Sequence, residues 1–415
     1  MGSDGMKSHF DIAVIGAGAA GLAAAARLRA EPLDVVLLEA RDRVGGRAWT
    51  IGPRPGLPLD AGCEWLHSAT RNVLAPLVEA KGFTVDRSPA HWQRRSDRVG
   101  FSAADAAAFG EAYRAFHARL EAQAATGADA PGSAFLEPGG RWNGLLNATS
   151  SWYNGAEWDG VSVLDYAAYD DGATNWRVRE GYGAAIAAVA GHVDPVLSCP
   201  VEIIDHGASP IRIVTGKGAV TARAAIVAVP TPALAQARIR FAPELPDKIE
   251  AAHGLPLGLA DKAFLALAEP DAVPAEGHCF GRTDTSATAS YHLRPFGRPY
   301  IEAYFGGRLA ASLEAEGPGA LAAFATDQLA AIFGSDIRGT LSPLAETAWA
   351  ADPWALGSYS HALPGCAGDR ARLAAPVSDR LFFAGEATHA TFFSTAHGAW
   401  ESGVRAAEEA LSALR

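Results

Sequence analysis

Asp11-Ile12-Ala13-Val14-Ile15-Gly16-Ala17-Gly18-Ala19-Ala20-Gly21 is the stretch on which the fold turns. An apolar run from Asp11 to Ile15 enters three spaced glycines, and Leu22 to Leu28 is then rich in alanine and leucine, which reads as strand, turn and helix. In such a turn the first glycine, Gly16, permits the tight bend. The second, Gly18, lets a pyrophosphate approach the backbone, and the third, Gly21, lets helix and strand pack closely. The phosphates then face the N-terminus of the helix. A second apolar run, Asp34 to Leu38, ends in Glu39, where a carboxylate can accept both hydrogen bonds of an adenosine ribose. Glycine spacing alone also arises in alanine-rich helices by chance, but the acidic residue at the end of the next strand supplies the context a dinucleotide site requires.

Working outward, Arg41-Asp42-Arg43-Val44-Gly45-Gly46-Arg47 follows Glu39 and Ala40 directly. These glycines let backbone run along an extended FAD, and an arginine offers its pyrophosphate a planar fork of donors. NAD needs neither, so the segment predicts FAD. Its bland alternative is a solvated basic loop.

The chain has 415 residues, 49% hydrophobic and 20% charged, enough for two packed domains. A formal charge of −11 with dispersed acids argues against a nucleic-acid partner and favours cationic ligands, although solubility alone would also account for it. Cys63, Cys199, Cys279 and Cys366 show no metal-ligand spacing and are too few for a disulfide framework, so a reducing compartment and no metal are expected. The N-terminus lacks a basic segment leading into an apolar signal core, and no apolar run approaches the ~20 residues that span a bilayer. The expectation is a cytoplasmic protein without a membrane partner.

Further segments resemble the flavin-containing amine oxidase family, which includes monoamine oxidases, polyamine oxidases and histone lysine demethylases. Asp60-Ala61-Gly62-Cys63-Glu64-Trp65-Leu66-His67 is similar to the family stretch whose backbone passes the flavin ring. Pro200-Val201-Glu202-Ile203-Ile204 and the run Ala224 to Val229 resemble the returning segment in which a valine backbone, here Val201, holds the adenine. Leu381-Phe382-Phe383-Ala384-Gly385-Glu386-Ala387 reads as a buried strand ending in a carboxylate, and by resemblance Glu386 binds the pyrophosphate-ribityl region. By the same resemblance, Thr395 and Ala396 begin a final helix whose positive end is expected to point at the flavin pyrimidine.

Recurrence of such pieces at the start, middle and end implies an α/β fold, α+β overall. A Rossmann-like FAD-binding domain (8–78, 195–250 and 376–415) is interleaved with a mixed-sheet and helical substrate-binding domain (79–194 and 251–375). Ser102-Ala103-Ala104-Asp105 is a capping-box-like helix start, and the stripe Phe109, Tyr113, Phe116 and Leu120 behind it reads as core packing.

By resemblance, Lys262 in the mostly apolar run Leu259 to Leu265 holds a water hydrogen-bonded to flavin N5, while the flavin takes the hydride. Trp349 and the segment Gly357-Ser358-Tyr359-Ser360 resemble the family segment that lines the flavin face, with Tyr359 expected as a substrate-facing ring. Ser358 stands where monoamine oxidases carry the cysteine that bonds the flavin, so noncovalent FAD is expected. Thr395 stands where they carry a second cage tyrosine. This departure, with His67 in a tryptophan, aliphatic, histidine order, is closer to spermine and acetylpolyamine oxidases, and His67 is expected to hydrogen-bond the amine. The implied reaction converts R–CH2–NH–R′, oxygen and water into aldehyde, amine and hydrogen peroxide. A primary monoamine oxidase and a desaturase of a non-amine substrate are the alternatives, Lys262 and Tyr359 speaking against the second. A noncatalytic FAD-stabilised binding module stays open because a fold does not establish a function. Oligomeric state is not legible.

Overall fold

The structure, a computed structural model, describes residues 8–94, 99–191 and 193–415. The stretch read for a targeting signal includes residues 1–7, which lie outside them. His9–Ile15 forms the first strand, Ala19–Leu28 the helix after the glycine turn, and Val35–Leu38 the strand that delivers Glu39. The first two begin two to three residues earlier than the sequence pattern suggests, because backbone pairing extends past the apolar residues.

His9–Ile15 lies between Val35–Leu38 and the long strand Gly218–Val227, parallel to both. The first half of Gly218–Val227 pairs antiparallel with Ile211–Thr215, and its last residues pair parallel with Leu381–Phe383. Val201–Asp205 and Arg240–Ala242 complete this seven-stranded sheet, so one sheet draws on three separated parts of the chain. Alternate residues face opposite ways, as a strand requires. Ile12 and Val14 pack under helices Ala19–Leu28 and Ala396–Leu414, while Ala13 and Ile15 pack on the other face with Val36, Leu38 and Val227. The first and last helices meet closely at Gly403, where a Cβ would stand 2.0 Å from the carbonyl oxygen of Ala20.

A second sheet is wholly antiparallel, in the order Gly277–Phe280, Ser290–Leu293, Tyr300–Gly306, Ala260–Leu267 and Leu341–Glu346. One face carries Tyr291, Ala303, Phe305, Ala263 and Leu265 into a core with helices Gly307–Glu316 and Ala320–Phe333. By the same alternation the opposite face carries His278, Ser290, His292, Glu302, Tyr304 and Lys262, all lining one cavity. Helix Ala103–Ala124 starts as expected, the Ser102 hydroxyl accepting from the Asp105 amide at 3.0 Å. Its stripe packs against Trp142 and Trp158, yet Phe109 and Tyr113 also border the cavity, a second use that periodicity does not reveal. Among the described residues no helix is long and apolar enough to cross a membrane, and no group of His, Cys, Asp or Glu is arranged to hold a metal ion.

Candidate active site

A continuous cavity of about 1000 Å³ runs between the two sheets. Of the expected site residues, Gly16, Gly18, Glu39, Ala40, Arg41, Gly46, Arg47, Gly62, Cys63, Glu64, Trp65, His67, Val201, Lys262, Trp349, Tyr359, Gly385, Glu386, Thr395 and Ala396 all line it. Gly21 does not, and its place explains why: a Cβ there would lie 1.7 Å from the Gly16 carbonyl oxygen, so its task is helix-to-strand packing.

The first end is built from backbone. Gly16 turns at a φ of +96°, and the amide of Gly45 donates to the Ala17 carbonyl at 2.8 Å, sewing the second glycine loop to the first. Helix Ala19–Leu28 opens on the cavity with no side chain capping its N-terminus. Its first amides and positive dipole end are thus available to an anion. Glu39 is buried and accepts from the amides of Ala17 at 2.6 Å and Arg41 at 2.8 Å, which fixes its carboxylate between the two loops. The Arg41 guanidinium is forked onto Asp352 at 2.6 and 2.7 Å, so at this position the fork is already taken by a carboxylate.

Arg47 reaches across to Glu386, 2.8 Å away, and also donates to the Ser358 carbonyl. Glu386 further accepts from the Ser360 hydroxyl at 2.6 Å and the Ser394 amide at 2.9 Å. Burial alone would raise its pKa, but Arg47, the Ser360 hydrogen bond and Arg370 together hold it below the usual value. Thr395 caps helix Ala396–Leu414 by accepting from the Gly398 amide and donating to the Phe392 carbonyl, so its hydroxyl belongs to the cap, although the residue borders the cavity.

The other end is lined by side chains of the second sheet. The Lys262 ammonium donates to the Asp60 carbonyl at 3.0 Å, to Glu64 at 3.0 Å and to Glu302 at 2.9 Å. Three N–H groups thus meet three acceptors, and a water held by this lysine has to displace or share one of them. Burial would lower the lysine pKa, but Glu302 and Glu64 outweigh it and drive it well up. Glu302 was not singled out in the sequence, nor was Tyr304. The Tyr359 hydroxyl donates to the Trp152 carbonyl at 2.5 Å and therefore accepts from Tyr304 at 2.9 Å. Trp349 donates its indole N–H to the Ala61 carbonyl at 3.2 Å, and Ser358 exchanges hydrogen bonds with the backbone of Ala260.

His67 is 2.7 Å from the Asn175 side-chain oxygen through Nδ1, which makes Nδ1 the donor and leaves Nε2 an acceptor. Burial lowers its pKa, the Asn175 bond opposing, which favours the neutral ring. Walls of the chamber come from Phe109, Tyr113, Trp152 and Phe280, the last two stacked at 5.4 Å. Buried His91, His278 and His292 also border it, with His91 stacked on His292 at 3.9 Å.

A family model described as flavin containing amine oxidoreductase matches residues 135–411, and one described as an NAD(P)-binding Rossmann-like domain matches residues 14–80. The chain is 31% identical to polyamine oxidase 3 of Oryza sativa subsp. japonica over 447 aligned positions, covering 97% of this chain and 90% of that protein. It is 29% identical to polyamine oxidase 2 of Arabidopsis thaliana, covering 96% and 87%. The chain belongs to the flavin-containing amine oxidoreductase family. Among solved structures, cyclohexylamine oxidase from Brevibacterium oxydans IH-35A shares its fold with a TM-score of 0.79 at 22% identity, covering 98% of this chain and all of that one. Putrescine oxidase bound to putrescine does so with a TM-score of 0.79 at 19% identity, with the same coverage.

As a member of this family the chain is an FAD-dependent amine oxidase. Its own residues fit that cofactor: an uncapped helix N-terminus inside the cavity suits a pyrophosphate, and a buried carboxylate at Glu39 suits a ribose. FAD is held without a covalent bond. Ser358 has no thiol to offer, Cys366 does not border the cavity, and of the two cysteines that do, Cys199 is buried beside the Val201 segment while the Cys63 thiol has its pKa pushed up by burial, so that little thiolate forms there.

Proposed function

We propose that this amine oxidase acts on an extended amine of the polyamine class, with oxygen as acceptor and hydrogen peroxide as product. The observation that carries the reading is an excess of carboxylates at the substrate end. Glu64 and Glu302 share the single ammonium of Lys262, and exposed Glu121 and Asp171 border the same cavity. Such a chamber attracts a chain bearing more than one positive charge. The 31% identity to a polyamine oxidase over nearly the whole chain supports the same class.

Bound FAD supplies the hydride acceptor. The neutral imidazole of His67 presents Nε2 to an amine N–H, and Asn175 keeps the ring in that tautomer. Phe109, Trp152 and Phe280 exclude water from the apolar stem, with Tyr359 held by Trp152 and Tyr304 as a further wall. Lys262 is the buried positive charge of the site and supports the return of electrons to oxygen. Glu39, Ala40, Arg41, Gly46, Arg47, Val201, Gly385, Glu386 and Ala396, with the backbone from Gly62 to Trp65 and the ring of Trp349, form the cofactor's share of the cavity. On this reading 8–78, 195–250 and 376–415 make the FAD-binding domain, an assignment supported by the strands that they contribute to one sheet.

A second reading, oxidation of an apolar primary monoamine, draws on the aromatic walls alone. The two separate by peroxide formation with spermine, spermidine, N-acetylspermine, putrescine, cyclohexylamine and benzylamine. The polyamine reading expects the highest kcat/KM among the first four. A preference for cyclohexylamine or benzylamine would overturn it.

A further inference from the structure

An amine in neutral water carries a proton, and removing hydride from the neighbouring carbon requires the nitrogen lone pair, so a proton has to leave inside the cavity. Lys262 cannot take it, because its ammonium is held fully protonated by the groups around it. Two carboxylates meet that ammonium, Glu64 at 3.0 Å and Glu302 at 2.9 Å. One ammonium thus faces two carboxylates, so the pair can take up a proton while Lys262 keeps its charge.

We propose that Glu302 is a further catalytic residue, the base that takes the ammonium proton of the incoming amine. The inference rests on amine oxidation and on no particular amine. Glu302 is buried, borders the substrate chamber, and sits on strand Tyr300–Gly306 between the lysine strand and Ser290–Leu293, directly opposite His292. One N–H bond of the substrate breaks and one O–H bond forms on Glu302, with no change in electron count. The neutral amine left behind then gives up its hydride in the established reaction.

The surroundings favour Glu302 over its neighbours. The groups facing it are Lys262 and Glu64 on the ammonium, Asp60 behind them, His292 across the sheet with Arg177 beyond it, and Tyr300 and Tyr304 on its own strand. Burial first and the charge of Glu64 second push the Glu302 pKa far above the usual carboxylate range. Glu64 moves the other way: burial would raise it, but Lys262, Arg177 and His292 pull it down. An ordinary carboxylate is too weak a base for an ammonium proton, and one whose pKa is raised toward that of the amine is matched to the task. His67 is the weaker candidate, since burial lowers its affinity for a proton.

The test compares holoenzyme of the wild type, Glu302→Gln and Glu302→Asp. The limiting rate of anaerobic flavin bleaching is followed against pH with two amines of different basicity, drawn from spermidine, cyclohexylamine and benzylamine. Wild type and Glu302→Asp are expected to gain activity along a limb that does not track the basicity of the amine. In Glu302→Gln the neutral-pH rate falls on the order of 10²-fold, and the limb moves to alkaline pH and follows the amine. Infrared difference spectra on titrating the oxidised enzyme should show the carbonyl band of a buried carboxylic acid that Glu302→Gln lacks. The same limb in wild type and Glu302→Gln, or an infrared difference spectrum that Glu302→Gln leaves unchanged, would overturn the assignment.

Discussion

Arg47 and Glu386, 339 residues apart in the chain, meet at 2.8 Å in the cavity wall. The contact joins the loop after the first Rossmann strands to the loop before the last helix, and it is a charge-assisted link between two pieces that both border the cavity. Arg47 also donates to the Ser358 carbonyl, so the same guanidinium ties in the segment that carries Tyr359.

Arg47→Ala should therefore weaken FAD binding by roughly 1.5–3 kcal/mol, the range for a hydrogen bond to a charged group in a buried setting. Glu386 keeps its bonds from Ser360 and Ser394, so the fold should survive. Titration of the apoprotein with FAD, followed by flavin fluorescence, measures the change. An unaltered dissociation constant would show that the pair is structural only.

Glu39→Ala removes a carboxylate that accepts from both glycine loops at once, through the amides of Ala17 and Arg41. FAD affinity should fall by about 1–3 kcal/mol. The same titration reads it, and Glu39→Gln, which keeps an acceptor, should lose less. Equal losses in the two variants would mean that hydrogen bonding at this residue is not what holds the cofactor.

Acid precipitation should leave the polypeptide colourless and release all the flavin into the supernatant. Ser358 exchanges its hydrogen bonds with Ala260 and has no sulfur, and the buried Cys63 thiol resists ionisation. Flavin retained by the pellet would contradict this, and digestion would then show whether Cys63 or Cys199 carries it.

Much of this site can be read from the sequence because its parts are local. A glycine that must admit a backbone, an acid at the end of a strand and a threonine before a helix are each fixed by their near neighbours, so Gly16, Glu39 and Thr395 are legible one by one. Glu302, Tyr304 and His292 are not, because what brings them to Lys262 is strand register. Tyr300-Ile301-Glu302-Ala303-Tyr304-Phe305 does show polar and apolar residues alternating, the mark of a two-faced strand. Which strand it pairs with, and hence that Glu302 comes within reach of an ammonium 40 residues earlier, is decided by packing on helices Gly307–Glu316 and Ala320–Phe333. The role of Lys262 is affected in the same way: resemblance supplies a lysine, while register supplies the second carboxylate that takes up its third N–H.

Lys262→Met should be strongly destabilising, since it leaves Glu64 and Glu302 buried together without their cation. Breaking a buried ion pair from one side costs roughly 3–5 kcal/mol. With the lysine gone, the folded-state pKa of this carboxylate pair rises above its unfolded value, so the folded protein binds the extra proton. Stability is then fuller at acid pH and is lost as pH rises through the folded pKa. Adding Glu302→Gln should recover part of the loss at neutral pH. Thermal unfolding of the two variants at acid and neutral pH checks both statements, and identical losses in the single and double variants would contradict them.

The most direct test of the account is anaerobic mixing of the yellow holoenzyme with spermine, spermidine, putrescine and cyclohexylamine, followed by absorbance. The account predicts that at least one of these amines bleaches the flavin without oxygen and that admitting oxygen restores the colour with formation of hydrogen peroxide. A flavin that stays oxidised with every amine would contradict the assignment of this cavity to amine oxidation.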